Sequence, residues 1–179
     1  LSNTVLFGAN LHRANLSESN LEGVDLSNTI LNRTNFNGVD LSNTILNGAI
    51  YNYKVLPGQY LEETDLSNKD FSGFNLSGFD LRNKDLNGTI LDHANLSDAN
   101  LDGVDLSNKD LTGADLSRVD LSNTILNAAI LSYANLSEAN LQGVDLRNTI
   151  LNAAILSDTN LSGANLKGVD LSNQNLTGA

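Results

Sequence analysis

The chain of 179 residues contains no cysteine, no methionine and no tryptophan, and only one proline. The absence of cysteine excludes disulfides, zinc–thiolate sites and a cysteine nucleophile. Aromatic residues make up 5% of a chain that is 40% hydrophobic, so any core must be built from small aliphatic side chains. No apolar run approaches the roughly 20 residues of a membrane-spanning helix, and no signal peptide is visible. We therefore expect a soluble chain whose compartment the sequence leaves open.

Positive charge is also scarce. Ten Lys and Arg residues oppose 21 Asp and Glu residues, which leaves a formal net charge of −11. This balance disfavours direct binding to nucleic acid or to an anionic membrane, because both require a positive surface. It favours a basic partner, or mimicry of an anionic one.

What the sequence has in abundance is a repeat of five residues. Leucine occupies 33 of the 36 positions that begin at Leu1 and recur every fifth residue; Phe36, Tyr51 and Phe71 occupy the others. We call this the centre position. Two residues earlier, the inner position usually holds a small residue, and the outer position between them usually holds Asn or Asp. A period of five fits neither a helix nor a straight strand. We therefore expect a short extended stretch and a turn, with centre and inner residues buried and outer residues exposed.

Turn chemistry falls in a fixed phase of this repeat. All 14 glycines and nine asparagines occupy the second residue after the centre, the corner position. Both residue types tolerate the positive φ that a type II turn requires there. Sorted with a period of 20, the corner positions form four columns, two of them almost entirely Gly or Asn. The sequence predicts a four-sided coil in which two corners need a positive φ and two do not, the latter including the column of Arg13, His93 and Tyr133.

The unit Ala-(Asn/Asp)-Leu-x-x, as in residues 134–138, resembles the pentapeptide repeat family over the whole chain, residues 1–179. The resemblance implies a single all-β domain, a right-handed quadrilateral parallel β-helix. It would have about nine coils at a spacing of about 4.8 Å, each supported only by its neighbours. Some inner positions depart from the pattern. We expect Phe74 and Phe79 to fill core volume, and lysines such as Lys109 to extend their ammonium groups past a corner into water.

Catalysis has few residues to draw on. His12 and His93 are the only histidines, and four coils would separate them by about 19 Å. The glycines belong to corners and form no phosphate-binding loop. A column of carboxylates on a flat face does not converge as a calcium site requires. We expect neither an enzyme nor a cofactor or metal site.

The outer positions hold all eight isoleucines of the chain. Five of them share one column, which we call the Ile face: Ile30, Ile50, Ile90, Ile130 and Ile150. The adjoining corner column holds basic and aromatic residues: Arg13, Arg33, Tyr53, His93 and Tyr133. Either isoleucine merely favours the extended backbone, or the face binds a protein partner or a second copy of the chain. These ten residues form the predicted contact surface of a non-enzymatic protein-interaction module.

An alternative surface consists of outer carboxylates in another column: Asp25, Asp65, Asp85, Asp105 and Asp145. Some pentapeptide repeat proteins are acidic rods that imitate duplex DNA and protect DNA gyrase. The resemblance thus implies a second hypothesis, a DNA mimic that binds a type II topoisomerase. The simpler interpretation is a solvated acidic face whose side chains bond to the backbone.

Both ends of the chain fall inside repeats. An end coil exposes core leucines and unpaired strand edges, which favour association. We expect either a cap outside these residues or pairing of the ends between copies.

Overall fold

The computed structural model describes residues 1–31, 34–36, 39, 44–46, 49, 66–172 and 174–179. Over these residues the backbone forms neither a helix nor a continuous strand, but single-residue parallel bridges that alternate with turns. Every bridge joins residues 20 positions apart, as between Asp105 and Ile125 or between Ile130 and Ile150. This register confirms the predicted 20-residue coil. No helix in the described part of the chain has the length and apolar character needed to cross a membrane.

Neighbouring coils are joined by two backbone hydrogen bonds at many of the outer residues. The N–H of Asn135 donates to the carbonyl of Ala114 (2.9 Å), and the carbonyl of Asn135 accepts the N–H of Leu116 (2.7 Å). The same pair of bonds recurs along the stack, for instance around Ile45. The backbone is therefore satisfied between coils, although the outer side chains point away from the core.

The core is a stack of centre leucines flanked by the small inner residues. Leu96 and Leu116 are fully buried, and so are the inner residues Ala94 and Ala114. The predicted inward orientation of the two positions is thus confirmed. Near residue 75 the inner positions are larger.

Phe74 and Phe79 are 4% and 1% exposed and fill the core, as expected. Phe74 also meets the ring of Phe71 edge-on at 5.6 Å. Aromatic pairs favour this arrangement over a face-to-face stack. The larger side chains at these inner positions are therefore part of the packed interior.

All the described corner residues except Asn123 have a positive φ, and the prediction of two kinds of corner column is wrong. Arg13, His93 and Tyr133 have φ of 61°, 57° and 60°, as do charged residues of the fourth column such as Arg118 (60°). At nearly all described corners the N–H of the inner residue donates to the preceding centre carbonyl, as from Ala134 to Leu131 at 3.0 Å. This turn places its corner residue in the left-handed region of the backbone. That conformation costs a non-glycine residue about 1–2 kcal/mol.

Several polar inner residues bond to the backbone of a neighbouring coil, which corrects the expectation for Lys109. The ammonium of Lys109 donates to the carbonyl of Leu86 instead of extending into water. Thr124 reaches the carbonyl of Leu101 in the same way at 3.2 Å. In each case the acceptor is the centre carbonyl 23 residues earlier.

Candidate interaction surface

The Ile face is partly to fully exposed where the structure describes it. Ile90 and Ile150 are 47% and 43% exposed, whereas Ile30 and Ile130 are half-buried. Ile50 lies outside the described residues. The predicted outward orientation therefore holds for the four described isoleucines.

Aspartates divide the Ile face along its length. Asp70 is bridged to Ile90 and Asp110 to Ile130, while Asp170 belongs to the same column beyond Ile150. Only Ile130 and Ile150 are bridged directly to each other among the described isoleucines of this face. Within the described part of this face, the isoleucines on adjacent coils are therefore those of these two coils.

The adjoining corner is a long strip whose predicted members lie far apart. Arg13 is four coils from His93 and six from Tyr133, by their separations of 80 and 120 residues. Six coils correspond to about 29 Å. All three side chains are exposed, Tyr133 most clearly at 68%; Arg33 and Tyr53 lie outside the described residues. Of the three, only Tyr133 lies beside the pair Ile130 and Ile150.

A third isoleucine lies across the corner from this pair. Ile155, which is 46% exposed, is bridged to Asn135 on the next face. The N–H of Tyr133 donates to the carbonyl of Asn152 (2.8 Å). Asn152 belongs to the corner between Ile150 and Ile155, so Tyr133 lies on the edge that separates their two faces. We call Ile130, Ile150, Tyr133 and Ile155 the edge patch.

Sequence reasoning missed the edge patch as a unit, because it treated each column separately. The segment NTILNAAIL occurs at residues 123–131 and 148–156, an offset of 25 residues. A shift of one coil plus one face brings isoleucines of the two copies to either side of one corner. This offset of 25 residues is the sequence feature that could have revealed the edge patch.

Outer Asn and Asp have a structural role that isoleucine cannot fill. Oδ1 of Asn95 accepts the N–H of Ser97 (3.0 Å), and Oδ1 of Asp120 accepts both the N–H (3.0 Å) and the hydroxyl (2.7 Å) of Ser122. Such a bond two residues onward satisfies a turn N–H locally. An outer isoleucine offers no acceptor at this place.

The carboxylates of the alternative surface make this same bond. Asp25, Asp85, Asp105 and Asp145 accept the N–H groups two residues onward at 2.8–3.1 Å. Asp65 lies outside the described residues. The column is interrupted, since Ile45 is bridged to Asp25 and Ile125 to Asp105.

Hydrogen bonds keep several of these carboxylates negative. The Ser27 and Ser107 hydroxyls, and then their N–H groups, lower the pKa of Asp25 and Asp105. Bonds from the side chain of Arg147, whose guanidinium approaches to 2.6 Å, lower the pKa of Asp145. Asp25, Asp105 and Asp145 are thus charged at neutral pH, but Asp145 is already paired with Arg147.

No cluster suited to metal binding is found among the described residues. His12 and His93 both lie within the described region and are separated by 81 residues, about four coils. The arrangement suits recognition by an extended surface. It brings together no pair of histidines for acid–base chemistry.

A family model described as pentapeptide repeats matches the chain in 8 copies, over residues 1–23, 9–48, 70–108, 110–148 and 154–179. Among functionally curated proteins, none matches. The comparison with solved structures returns several pentapeptide repeat proteins.

One is a pentapeptide repeat protein of the Arabidopsis thaliana thylakoid lumen, at 32% identity and a TM-score of 0.50 over 60% of this chain and 72% of that one. A second is HetL, involved in heterocyst differentiation regulation in the cyanobacterium Nostoc sp. strain PCC 7120, at 29% identity and 0.42 over 100% and 88%. A third is QnrB1, a plasmid-mediated fluoroquinolone resistance protein, at 21% identity and 0.41 over 98% and 88%.

Proposed function

The chain belongs to the pentapeptide repeat family, and from this premise we propose that it is a non-enzymatic module that binds a protein partner through its Ile face. In this proposal residues 1–179 form one solenoid domain of about nine right-handed coils. The observation that carries it is the outward orientation of Ile90, Ile130 and Ile150 in one column, with Ile90 and Ile150 exposed and Ile130 half-buried.

An isoleucine at an outer position gives up the turn hydrogen bond that Asn or Asp forms there. A hydrogen bond such as that from Ser97 to Asn95 contributes about 0.5–1.5 kcal/mol, and the whole range of strand propensity is about 1 kcal/mol. The gain in strand propensity and the loss of the bond are therefore of similar size and roughly cancel. Burial against a partner would contribute about 25 cal/mol per Å² of apolar surface. The isolated chain does not gain this free energy, which therefore accounts for isoleucine at these outer positions.

The test replaces the isoleucines with the residue that alternates with them. In Ile90→Asp/Ile130→Asp/Ile150→Asp each new side chain can form the turn bond that Asp110 forms with Thr112 (2.9 Å), so the fold should persist. The control, Ile45→Asp/Ile125→Asp, makes two such substitutions on another face. Immobilised protein is exposed to an extract of the source organism, and bound proteins are quantified by mass spectrometry. A partner lost with the first variant and retained with the control supports the proposal; identical bound sets for all three proteins reject it.

A second candidate function is binding of a type II topoisomerase by mimicry of DNA. The net charge of −11 and the ionised outer carboxylates favour it. The charge reversals Asp85→Lys and Asp105→Lys should then abolish an effect on gyrase supercoiling that is strongly salt-dependent. Absence of any effect of the native protein on supercoiling removes this function.

A further inference from the structure

The edge patch is bounded by negative charge at both ends. Asp110 is bridged to Ile130 on one side. On the other side Asp170 and Ile150 line the same shallow depression. An occupant that covers both isoleucines therefore also meets two carboxylates.

These two carboxylates are ionised and oriented by the backbone. Oδ1 of Asp110 accepts the N–H of Thr112 (2.9 Å), and Oδ1 of Asp170 accepts the N–H of Ser172 (2.8 Å). The hydroxyls of Thr112 and Ser172, and then their N–H groups, lower the pKa of the two aspartates. Each carboxylate has further lone pairs that can accept from a donor on a partner.

Charge argues against a second copy of this chain as the occupant. A two-fold axis between Ile130 and Ile150 would place Asp110 of one copy beside Asp170 of the other. Like charges juxtaposed across an interface are strongly unfavourable, and each copy carries a net charge of −11. The complementary partner is basic.

The spacing of the isoleucines indicates which secondary structure of a partner would fit them. Bridged residues on adjacent coils such as Ile130 and Ile150 are about 4.8 Å apart. Side chains three or four residues apart on a helix are about 5–6 Å apart, whereas alternate residues of a strand are about 6.6 Å apart. A helix matches the pair more closely.

The distance between the two aspartates can also be compared with the dimensions of a helix. Asp110 and Asp170 are three coils apart, which is about 14 Å. On a helix with aliphatic residues at i and i+4, basic residues at i−3 and i+7 span about 15 Å. One helix face can therefore place two aliphatic and two basic side chains in register with the column.

We propose that the edge patch binds an amphipathic helix of a partner protein that carries two aliphatic side chains four residues apart, with Lys or Arg three residues beyond each. This inference rests on the proposed function and specifies the chemistry of the partner. Ile130 and Ile150 receive the aliphatic pair, Tyr133 and Ile155 cover its flank, and Asp110 and Asp170 pair with the basic residues.

The probe is an acetylated, amidated alanine-based helix of sixteen residues, labelled for fluorescence anisotropy. It has Leu at two positions four apart and Lys three residues outside each Leu. Matched peptides carry Glu in place of Lys, Ser in place of Leu, or a central Pro that breaks the helix. We expect binding of the Lys–Leu helix, and no binding of the three others.

Variants of the protein locate the site. Ile130→Asn/Ile150→Asn should remove binding while keeping the turn bonds that outer asparagines form, and Ile125→Asn on another face should not. Asp110→Asn/Asp170→Asn should raise the dissociation constant on the order of tenfold, as expected for two exposed ion pairs. Asp85→Asn/Asp105→Asn changes net charge equally on another face and should leave it nearly unchanged.

Four results would overturn the inference. These are no binding of the Lys–Leu helix, equal binding of the Glu peptide, equal weakening by the two aspartate pairs, and self-association that Ile130→Asn/Ile150→Asn abolishes. If the peptides fail while the Ile90/Ile130/Ile150 variant still loses a cellular partner, the protein-binding function stands and only the helix chemistry falls. If both experiments fail, both proposals fall.

Discussion

The imidazole of His93 lies against Gly113, the corner residue one coil further along the same column. A Cβ built on Gly113 would meet Nδ1 of His93 and come within 2.6 Å of Cε1. Asn3 lies on Gly23 and Asn68 on Gly88 in the same way. Some corner glycines therefore make room for the side chain of the preceding coil, in addition to tolerating a positive φ of about 67° at Gly113.

The substitution Gly113→Ala should cost more than Gly73→Ala, which lies in the same column. Both residues have a positive φ, so alanine loses about 1 kcal/mol at either. Gly73 has open space where its Cβ would point, whereas at Gly113 the displacement of His93 should add about 1 kcal/mol. Urea unfolding measures the difference. In a His93→Ala background the extra cost should vanish; if it persists, the contact with His93 is not its cause.

The outer residue Asn135 holds two coils together. Its Oδ1 accepts the N–H of Ser137 (3.1 Å), and its Nδ2 donates to Asp115 (3.1 Å) one coil earlier. Asn135→Ala should lower the free energy of unfolding by about 1–2 kcal/mol, because both bonds are lost. Asn135→Asp keeps the acceptor but places a carboxylate beside Asp115, so its cost should fall as salt is added. A cost for Asn135→Asp that does not depend on salt would argue against the contact with Asp115.

Lys109 should be replaceable by threonine but not by alanine. Thr89 reaches the carbonyl of Leu66 at 2.9 Å from the equivalent position one coil earlier, so a hydroxyl at 109 can reach Leu86. Lys109→Thr should stay within about 0.5 kcal/mol of the native stability, whereas Lys109→Ala should lose about 1–2 kcal/mol. Thermal and urea unfolding compare the two. Equal stability of both variants would mean that the bond to Leu86 contributes nothing.

Acid should destabilise the solenoid. The hydroxyl and then the N–H of Ser122 lower the pKa of Asp120, and Asp105, Asp110 and Asp170 are lowered by the same kind of bond. A carboxyl whose folded pKa lies below its unfolded value of about 3.9 stabilises the fold above that pH. The contribution is lost as pH falls through the folded pKa. The free energy of unfolding, measured in urea from pH 7 to pH 2, should therefore decline below about pH 4.

Asparagine substitutions provide the control for this pH dependence. Asp105→Asn/Asp110→Asn/Asp120→Asn keeps the turn acceptors and removes three titrating groups, so its decline in acid should be shallower. The opposing effect is relief of repulsion among the charges that give a net −11. If the native protein becomes more stable in acid, that repulsion outweighs the turn bonds.

Much of the fold could be read from particular residues. The recurrence of leucine at positions such as Leu96 and Leu116 identified the buried stack, and the corner columns gave the 20-residue register that joins Asp105 to Ile125. Both follow from local chemistry repeated in phase. The exposure of Ile90 and Ile150 follows from the same alternation.

The errors concern features that are set by neighbouring coils. Arg13, His93 and Tyr133 were assigned to corners without a positive φ because their intrinsic preference opposes it, yet the turn imposes it. Lys109 was expected to reach water, but a carbonyl in a neighbouring coil accepts its ammonium. Neither feature can be predicted from the five residues of a single repeat.

The sequence by itself determined the repeat, the buried positions and the coil length, because each depends on side-chain volume and turn chemistry recurring at a constant spacing. Only the tertiary structure decided how residues of different coils meet: the common corner conformation, His93 against Gly113, and Tyr133 between Ile150 and Ile155 on the edge patch. The physical reason is that these contacts form between residues about 20 positions apart, where stacking of whole coils, and not local preference, sets the geometry.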